Sequence, residues 1–559
     1  MTQVTVSDAV VEALAAADVD VVFTLCGNHI LPLQESLRTH GLRCVATRSE
    51  AAAVFAADAY GRVRRRAGVA LVTGGPGVSN AATALLTARG NQSPLVLLSG
   101  EPSTAVAGRG AQQEADHVLL TAGATKASMR ALRGDRVLEH LQEAFRLAEH
   151  GRTGPVHLTI PTDVQQQPLS VPAGGVVPAR RAVQMPVAPA PFLSDVGDLL
   201  RAAARPVLVA GAGVWQHGGE AAVAELAERN GIPVFTLDSA RGIAPDSAAC
   251  IFGSADAGLN RAADGLASAD CVIIAGREVD FRLGYGAFIQ PDATVVHVHA
   301  DTASLGRNLP QSTLLCSADP AAFVADLVPA LDGYRAPSAW AEELAALRGD
   351  SALADAGSSN GDGSAHPASV AEAIARAGGA ANAIFALDCG EFVQWCRSYI
   401  PSEAAGSWLR LGLQATCGAG LPFGIGAQAA APDRPVVVIA GDGGIGYHVA
   451  ELETAVRCGL PVVVVVGQDN AWGVELLLQT GLYGDDAAFT SELSQSDFAM
   501  VAKGFGCGAM TVDGPAEVED ALADALAARE PRLIQVGIRN VRSRATERMV
   551  ASLRSSRGS

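Results

Sequence analysis

Residues 441–470 read GDGGIGYHVAELETAVRCGLPVVVVVGQDN. The VVVI run just before them (436–439) and the five valines at 462–466 are short, apolar and β-branched. Such runs mark strands buried on both faces of a parallel sheet. Between them, GYHVAELETAVRCG sets Val449, Leu452, Ala455 and Val456 at helical spacing and closes on Gly459. The pattern predicts one helix between two parallel strands, which then end at the same sheet edge. Asp442 follows the first strand and Asp469 the second, so two carboxylates are expected to meet there. A pair of carboxylates is a hard oxygen donor set of the kind Mg²⁺ takes. Gly441, Gly443 and Gly444 are expected to let a ligand approach the backbone closely, and the helix N-terminus to hold an anion.

The same alternation fills the chain. VDVVFTL (19–25), GVALVTG (68–74) and SPLVLLSG (93–100) read as strands, and SEAAAVFAADAYGRV (49–63) as a helix. A Pro/Ala-rich stretch (165–191) and GSSNGDGSAHP (357–367) read as linkers. Three doubly wound parallel-sheet α/β domains are therefore expected, at 1–165, 192–345 and 366–559. The 559 residues, 49% hydrophobic and 18% charged, suit a globular chain of several domains. A net charge of −17 argues against a nucleic-acid partner. The small basic groups, Arg62 with Arg64, Arg65 and Arg66 and the tail from Arg542, read as solvated surface. No apolar run reaches the ~20 residues of a membrane span, and the first residues lack the pattern of a secretory signal. Ten scattered cysteines without a CxxC predict reduced thiols, a cytoplasmic location and no structural zinc. His297 and His299 in HVHAD read as strand residues without a third ligand.

GDG followed one helix and one strand later by QDN resembles the cofactor-binding motif of thiamine diphosphate enzymes, where the second element is usually NN. The resemblance covers nearly the whole chain and points to the acetolactate synthase-like and benzaldehyde lyase-like group. It implies a pyrimidine-binding, a central and a diphosphate-binding domain. It implies Mg²⁺ held by Asp442, Asp469 and the carbonyl of Ala471, with Asn470, Trp472 and Gly473 completing a QDNAWG segment at the cofactor. The departure is Asp469 in place of an Asn, which makes the site more anionic.

Further segments extend the resemblance. TRSEAAAVFAADAYGR places Glu50 where the family has the glutamate that hydrogen-bonds the aminopyrimidine ring and activates the cofactor. A helix-capping role beside Ser49 is the structural alternative. TLCGNHILPL is similar to a benzaldehyde lyase loop, with His29 at an active-site histidine position. GAQQEADHV places Gln113 near the reacting carbonyl, with Gln112 where acetolactate synthase has Phe. Asn28, Gln112 and Glu475 are candidate substrate-pocket residues. SWLRLGLQATCGAGLPFGIG puts Cys417 at the residue under the bend of the cofactor. TGGPGVSNAAT is an architectural turn with Gly75 and Gly77 near the site, and Lys126 matches a family lysine or is a surface residue. GAGVWQHGG falls in the central domain, which carries no FAD-specific pattern, so FAD is not expected.

The resemblance implies a carboligase or lyase that makes or breaks a C–C bond of 2-ketoacids, 2-hydroxyketones or aldehydes through an acyl-anion enamine. The alternatives are a 2-ketoacid decarboxylase, an FAD-independent acetolactate synthase, and a non-catalytic binding protein. It also implies a homodimer or homotetramer with sites between chains. His29 and Gln113 are the candidates for proton traffic.

Overall fold

The computed structural model describes residues 2–171, 180, 183–310, 313–348 and 364–557. The chain forms two compact units. The first comprises Met1–Gln184 with Leu411–Pro432 and His448–Leu460; the second comprises Met185–Arg410, Asp433–Tyr447 and Pro461–Ser559.

In the first unit the strands are β1 (Thr2–Thr5), β2 (Val21–Thr24), β3 (Arg43–Ala46), β4 (Gly68–Val72), β5 (Leu95–Glu101), β6 (Ala127–Arg130), β7 (Pro155–Pro161) and β8 (Pro168–Val171). Six of them form a parallel sheet in the order β3-β2-β4-β5-β7-β6. Val69, Leu71, Val96, Leu98, Val156 and Leu158 point into one core with Phe145 and Leu141 of the covering Val137–Glu149 helix. The stretch expected to be linker from residue 165 begins with β8, which pairs antiparallel with β1. Residues 172–179 and 181–182 of that linker lie outside the described residues, as does the second linker up to residue 363.

The second unit holds two more six-stranded parallel sheets. The central one uses β9 (Pro206–Ala210), β10 (Val234–Thr236), β11 (Ile251–Ser254), β12 (Cys271–Ala275), β13 (Thr294–His299) and β14 (Leu314–Ser317), in the order β11-β10-β9-β12-β13-β14. The C-terminal one uses β15 (Ile384–Leu387), β16 (Trp408–Leu409), β17 (Val436–Gly441), β18 (Val462–Gln468), β19 (Gly508–Val512) and β20 (Arg532–Gly537), in the order β16-β15-β17-β18-β20-β19. The first and third sheets thus share one strand order, and the central sheet has another. Three parallel-sheet α/β domains are present, as expected from the sequence.

Two further expectations are corrected. Arg62, read as solvated surface, is 1% exposed and donates from Nε to Asp58 Oδ1 at 2.7 Å. The segment between β17 and β18 is two short helices, not one. Helix begins at Asp442 itself (Asp442–Gly446), stops, and resumes at Glu451–Arg457, with Gly459 at φ +61° closing it. Glycine forms helix poorly, and three of the first helix's five residues are glycine, so the run is not sustained. The second helix belongs to the first unit.

Candidate active site

In an open parallel sheet, ligands bind beyond the strand C-termini where the strand order reverses. In the C-terminal sheet that point lies between β15 and β17. Gly441 pairs with Gly467, so Asp442 and Asp469 leave neighbouring strands side by side. Their carboxyl groups lie within hydrogen-bonding reach of one another. Asp442 accepts the N–H of Gly443 at 2.9 Å and that of Asn470; Asp469 accepts that of Ala471. Burial raises the Asp442 carboxyl above its ordinary value despite these donors. Burial, and then the Asp442 charge, push Asp469 up to about 7. Two buried carboxylates this close repel one another unless a proton or a cation stands between them. The donor set therefore fits a divalent metal.

The residues after β18 are fixed around this pair. Asn470 sits at φ +55°, its Oδ1 accepting from Gln468 Nε2 at 2.9 Å and its carbonyl accepting from Leu493 at 2.7 Å. Ala471 bridges to Glu492, and Trp472 donates its N–H to the Ser491 carbonyl at 2.8 Å. The Trp472 indole lies on Gly443, where a Cβ would stand 2.7 Å from Cε3, and meets Tyr447 edge-on at 6.0 Å. Gly473 is covered by the Asp469 carboxylate, 2.6 Å from where its Cβ would be. By contrast Gly441 has only Gly467 O at 4.0 Å, so nothing in the chain demands glycine there. Sequence reasoning missed Asp388. It follows β15 on the other side of the same reversal point, fully buried, with its carboxylate 3.3–3.5 Å from the Cβ position of Gly444. The residue that leaves β15 is recognisable only once the strand order is known.

The first sheet reverses between β2 and β4, and the sequence candidates gather there. His29 lies in the short Asn28–Ile30 helical turn after β2 and is 6% exposed. Its carbonyl accepts from Gln165 Nε2 at 2.8 Å, and its N–H reaches Thr73 Oγ1 at 3.4 Å. The turn presses on β5 so closely that a Cβ on Gly100 would stand 1.9 Å from the His29 carbonyl. Gln113, at φ +61°, faces the His29 ring, and its buried Oε1 has no well-formed hydrogen bond among the described residues. Burial lowers the His29 pKa, which keeps the ring neutral at neutral pH. Asn28 and Gln112 are exposed beside these groups in the first unit; Glu475 is exposed on the Gly473–Tyr483 helix of the second.

Glu50 opens the Glu50–Arg64 helix, whose N-cap is Ser49: its hydroxyl accepts from Ala52 at 3.1 Å. Ser49, not Glu50, therefore does the capping. Glu50 is 9% exposed, and its Oε2 accepts from Asn80 Nδ2 at 3.0 Å. Gly77 lies beside it, its Cβ position 3.7 Å from Oε1. A second missed residue holds this helix start. Glu451, buried, accepts the backbone N–H of Arg48 at 3.0 Å and of Ser49 at 3.1 Å, and the Thr454 hydroxyl at 2.6 Å. The same helix packs on Gly420–Ala430: Phe55 meets Phe423 edge-on at 5.7 Å, and a Cβ on Gly426 would stand 2.0 Å from Ala56 O. Cys417 precedes Gly420–Ala430 in a loop of the first unit, where Gly418 O contacts His448 Nδ1 at 2.8 Å. Lys126 is structural. Its ammonium donates to the carbonyls of Leu147 and His150 at the end of the Val137–Glu149 helix.

The central sheet reverses between β9 and β12, and its crevice is filled by the chain. A Cβ on Gly211 would stand 2.4 Å from Arg277 Cβ. Buried Arg277 and Arg282 bridge Asp238 and Asp280 across this edge, with Arg277 at 2.5 Å from Asp238 and 2.6 Å from Asp280. His297 is spent on the Arg277 carbonyl at 2.8 Å and the Gly306 N–H at 3.2 Å. A cavity of about 510 Å³ lies elsewhere in this unit, among Arg241, Phe252, Arg348, Arg397, Tyr399 and Arg544, away from Asp442 and Asp469.

Comparison with known proteins agrees with this layout. Residues 4–120 match the N-terminal TPP binding domain of thiamine pyrophosphate enzymes, residues 193–327 their central domain and residues 388–536 their C-terminal TPP binding domain. The chain belongs to the family of thiamine diphosphate-dependent enzymes. It is 31% identical over 537 residues to a probable acetolactate synthase of Mycobacterium bovis, covering 94% of each chain. It is 31% identical over 542 residues to 2-hydroxyacyl-CoA lyase 2 of Danio rerio, covering 89% of this chain and 85% of that one. It is 28% identical over 548 residues to a probable acetolactate synthase large subunit of Methanocaldococcus jannaschii, covering 95% and 91%.

Proposed function

We propose that the protein is a thiamine diphosphate- and Mg²⁺-dependent carboligase or lyase acting on small 2-ketoacids, 2-hydroxyketones or aldehydes. The observation that carries this reading is the Asp442–Asp469 pair at the C-terminal ends of β17 and β18, in a chain that also keeps a buried Glu50 bonded to Asn80. Asp442, Asp469 and the Ala471 carbonyl are the residues to hold the metal, and through it a diphosphate. Gly443, Gly444, Asn470, Trp472 and Gly473 shape that end of the site, and Cys417 is proposed for the cofactor's bend. The bound cofactor supplies an electron sink for carbanion chemistry next to a carbonyl.

The protein's part is placement and proton transfer. Glu50 is the carboxylate to hydrogen-bond the aminopyrimidine, held in place by Asn80 on one side and by Glu451 through the helix start on the other. Neutral His29 can take or give a proton at Nδ1 or Nε2, and Gln113, which faces the His29 ring, can accept from a hydroxyl at Oε1 and donate to a carbonyl from Nε2. Asn28, Gln112 and Glu475 are proposed to select substrates. The relatives named a synthase of acetolactate and a lyase of 2-hydroxyacyl-CoA support the reaction class. The filled crevice of the central sheet supports a domain that works without FAD. Domain limits at 1–165, 192–345 and 366–559, a homodimer or homotetramer and a cytoplasmic location go with this reading. Among the described residues no helix is long and apolar enough to cross a membrane.

The test is to load the purified protein with thiamine diphosphate and Mg²⁺ and supply pyruvate, benzoin and a panel of aldehydes. Mass spectrometry should find a hydroxyketone product or its cleavage fragments. Carbon dioxide and free aldehyde alone would turn the reading to a decarboxylase, and no turnover of any of them would refute it.

A further inference from the structure

Gly74 in the turn after β4 lies between two imidazoles. A Cβ there would stand 3.2 Å from His29 Nδ1 and 3.1 Å from His117 Cε1. His29 was legible as a candidate; His117, at the start of the His117–Ala122 helix, was not singled out. It is fully buried, and its Nε2 accepts the Gly75 N–H at 2.7 Å. An accepting Nε2 carries no proton, so in the neutral ring the proton is on Nδ1. That nitrogen points toward Glu101, whose Oε1 is 3.6 Å away. Glu101 is in turn gripped by Arg130, at 2.9 and 3.0 Å from Nε and 2.7 Å from Nη2. The acceptor role of Nε2 toward Gly75 sets the tautomer, while Nδ1 makes no hydrogen bond among the described residues and has the Glu101 carboxylate as its nearest charge.

The Gly75 N–H so held belongs to a turn that requires glycine. Gly75 is at φ +60°, and its Cβ position lies 2.7 Å from Gln113 O and 3.0 Å from Gln113 Cα. Thr73, two residues earlier, is the residue whose hydroxyl meets the His29 N–H. One face of the 73–75 turn therefore abuts Gln113 and the other His29, and among the described residues the side chain that bonds the Gly75 N–H is His117. We propose that His117 is a positioning residue: through the Gly75 N–H it locks the Thr73–Gly75 turn and thereby sets His29 and Gln113 against one another. This rests on the reading that those two residues face the substrate. The titratable groups around His117 are Glu101, Arg130, Asp116, His29 and His157.

The test uses the holoenzyme with [¹⁵N]histidine, wild type, His117→Leu and His117→Gln, the last keeping an acceptor for Gly75. In wild type, ¹⁵N spectra should show His117 neutral with the proton on Nδ1. In His117→Leu the His29 resonances should move, the Gly75 amide should exchange about tenfold faster or more, and His117→Gln should restore most of both. For whichever of pyruvate or benzoin the wild type turns over, kcat should fall about tenfold to a hundredfold in His117→Leu with KM nearly unchanged, the size of a misplacement near 1 Å. Exchange of the cofactor carbon-2 proton should stay as in wild type, showing that fold and cofactor are intact. An Nε2-protonated or charged His117, or His29 resonances indifferent to the Leu variant, overturns the proposal. Wild-type protein without carbon-2 exchange or turnover, but with the His117–His29 coupling intact, refutes the functional reading and leaves the positioning role standing.

Discussion

Acid should open the first unit through its buried histidines, by an amount the structure sets. His157 on β7 is fully buried between hydroxyls: Nε2 meets Ser99 Oγ at 2.8 Å, and Nδ1 meets Thr121 and Ser128 Oγ groups at 2.9 Å. Burial first, then the His117 charge, push it down to about 3; burial and the nearby Arg130 push His117 down to about 4. Both are neutral when folded, and in the unfolded chain both take a proton near the ordinary value of 6.5. The folded pKa is depressed, so the stability these rings allow is complete above pH 6.5 and is lost as pH falls toward 4. Between pH 7.5 and 5.0 each ring should cost about 2 kcal/mol, together about 4 kcal/mol. Glu101, raised by burial, works in the opposite direction and is common to every variant compared. Hydrogen exchange of β5 and β7 peptides, corrected for the intrinsic pH dependence, reads the local opening free energy. Wild type should lose about 2 kcal/mol more across that window than His157→Gln does. A flat profile in wild type, or the same slope in His157→Gln, would refute the reasoning that these rings are held neutral by burial.

Three further outcomes follow from the site. Glu50→Gln keeps an acceptor for Asn80 but loses the charge; carbon-2 exchange of bound cofactor, followed by NMR, should slow by about 10²–10⁴-fold while the circular dichroism spectrum stays unchanged. Gly443→Ala drives a methyl to 2.7 Å from the Trp472 ring. Calorimetry should show weaker metal and cofactor binding, with about 1–3 kcal/mol lost in stability as the indole is displaced; unchanged binding and tryptophan fluorescence would count against the packing. Stripping the metal with a chelator should release thiamine diphosphate from wild type, and Asp469→Asn, with one carboxylate fewer, should need more Mg²⁺ for half-maximal cofactor binding than wild type does.

The sheets were legible because parallel strands are buried on both faces and read as continuous apolar runs; Val436–Gly441 and Val462–Gln468 stand where the valines are. The meeting of Asp442 and Asp469 was legible for the same reason, since neighbouring parallel strands end together. What the sequence hid depends on order and contact rather than on pattern. Asp388 joins the site because β15 lies next to β17, an adjacency no spacing encodes. Glu451 looks like an ordinary surface acid of a helix, yet it holds the backbone before Glu50, about four hundred residues earlier in the chain. His117 is one of eleven histidines, and only the 2.7 Å contact with Gly75 sets it apart. The break at Tyr447–Ala450 was hidden because apolar spacing continues across it while the glycines before it undo the helix.

The carboxylate at 469 completes the argument about the metal. An Asn there would accept from Ala471 and pack over Gly473 equally well, and it would not repel Asp442. The chain instead buries a second carboxyl within hydrogen-bonding reach of the first, so that one is held far above its ordinary pKa. No cationic side chain pairs with either in the salt bridges among the described residues. Such a pair is costly as two anions, tolerable as one anion and one acid, and relieved in full by a dication, which two carboxylates and a carbonyl can hold in the oxygen field it prefers. On the reading proposed above, the cost of burying Asp469 beside Asp442 would be offset when a dication is bound, and the extra negative charge would strengthen the hold on that ion.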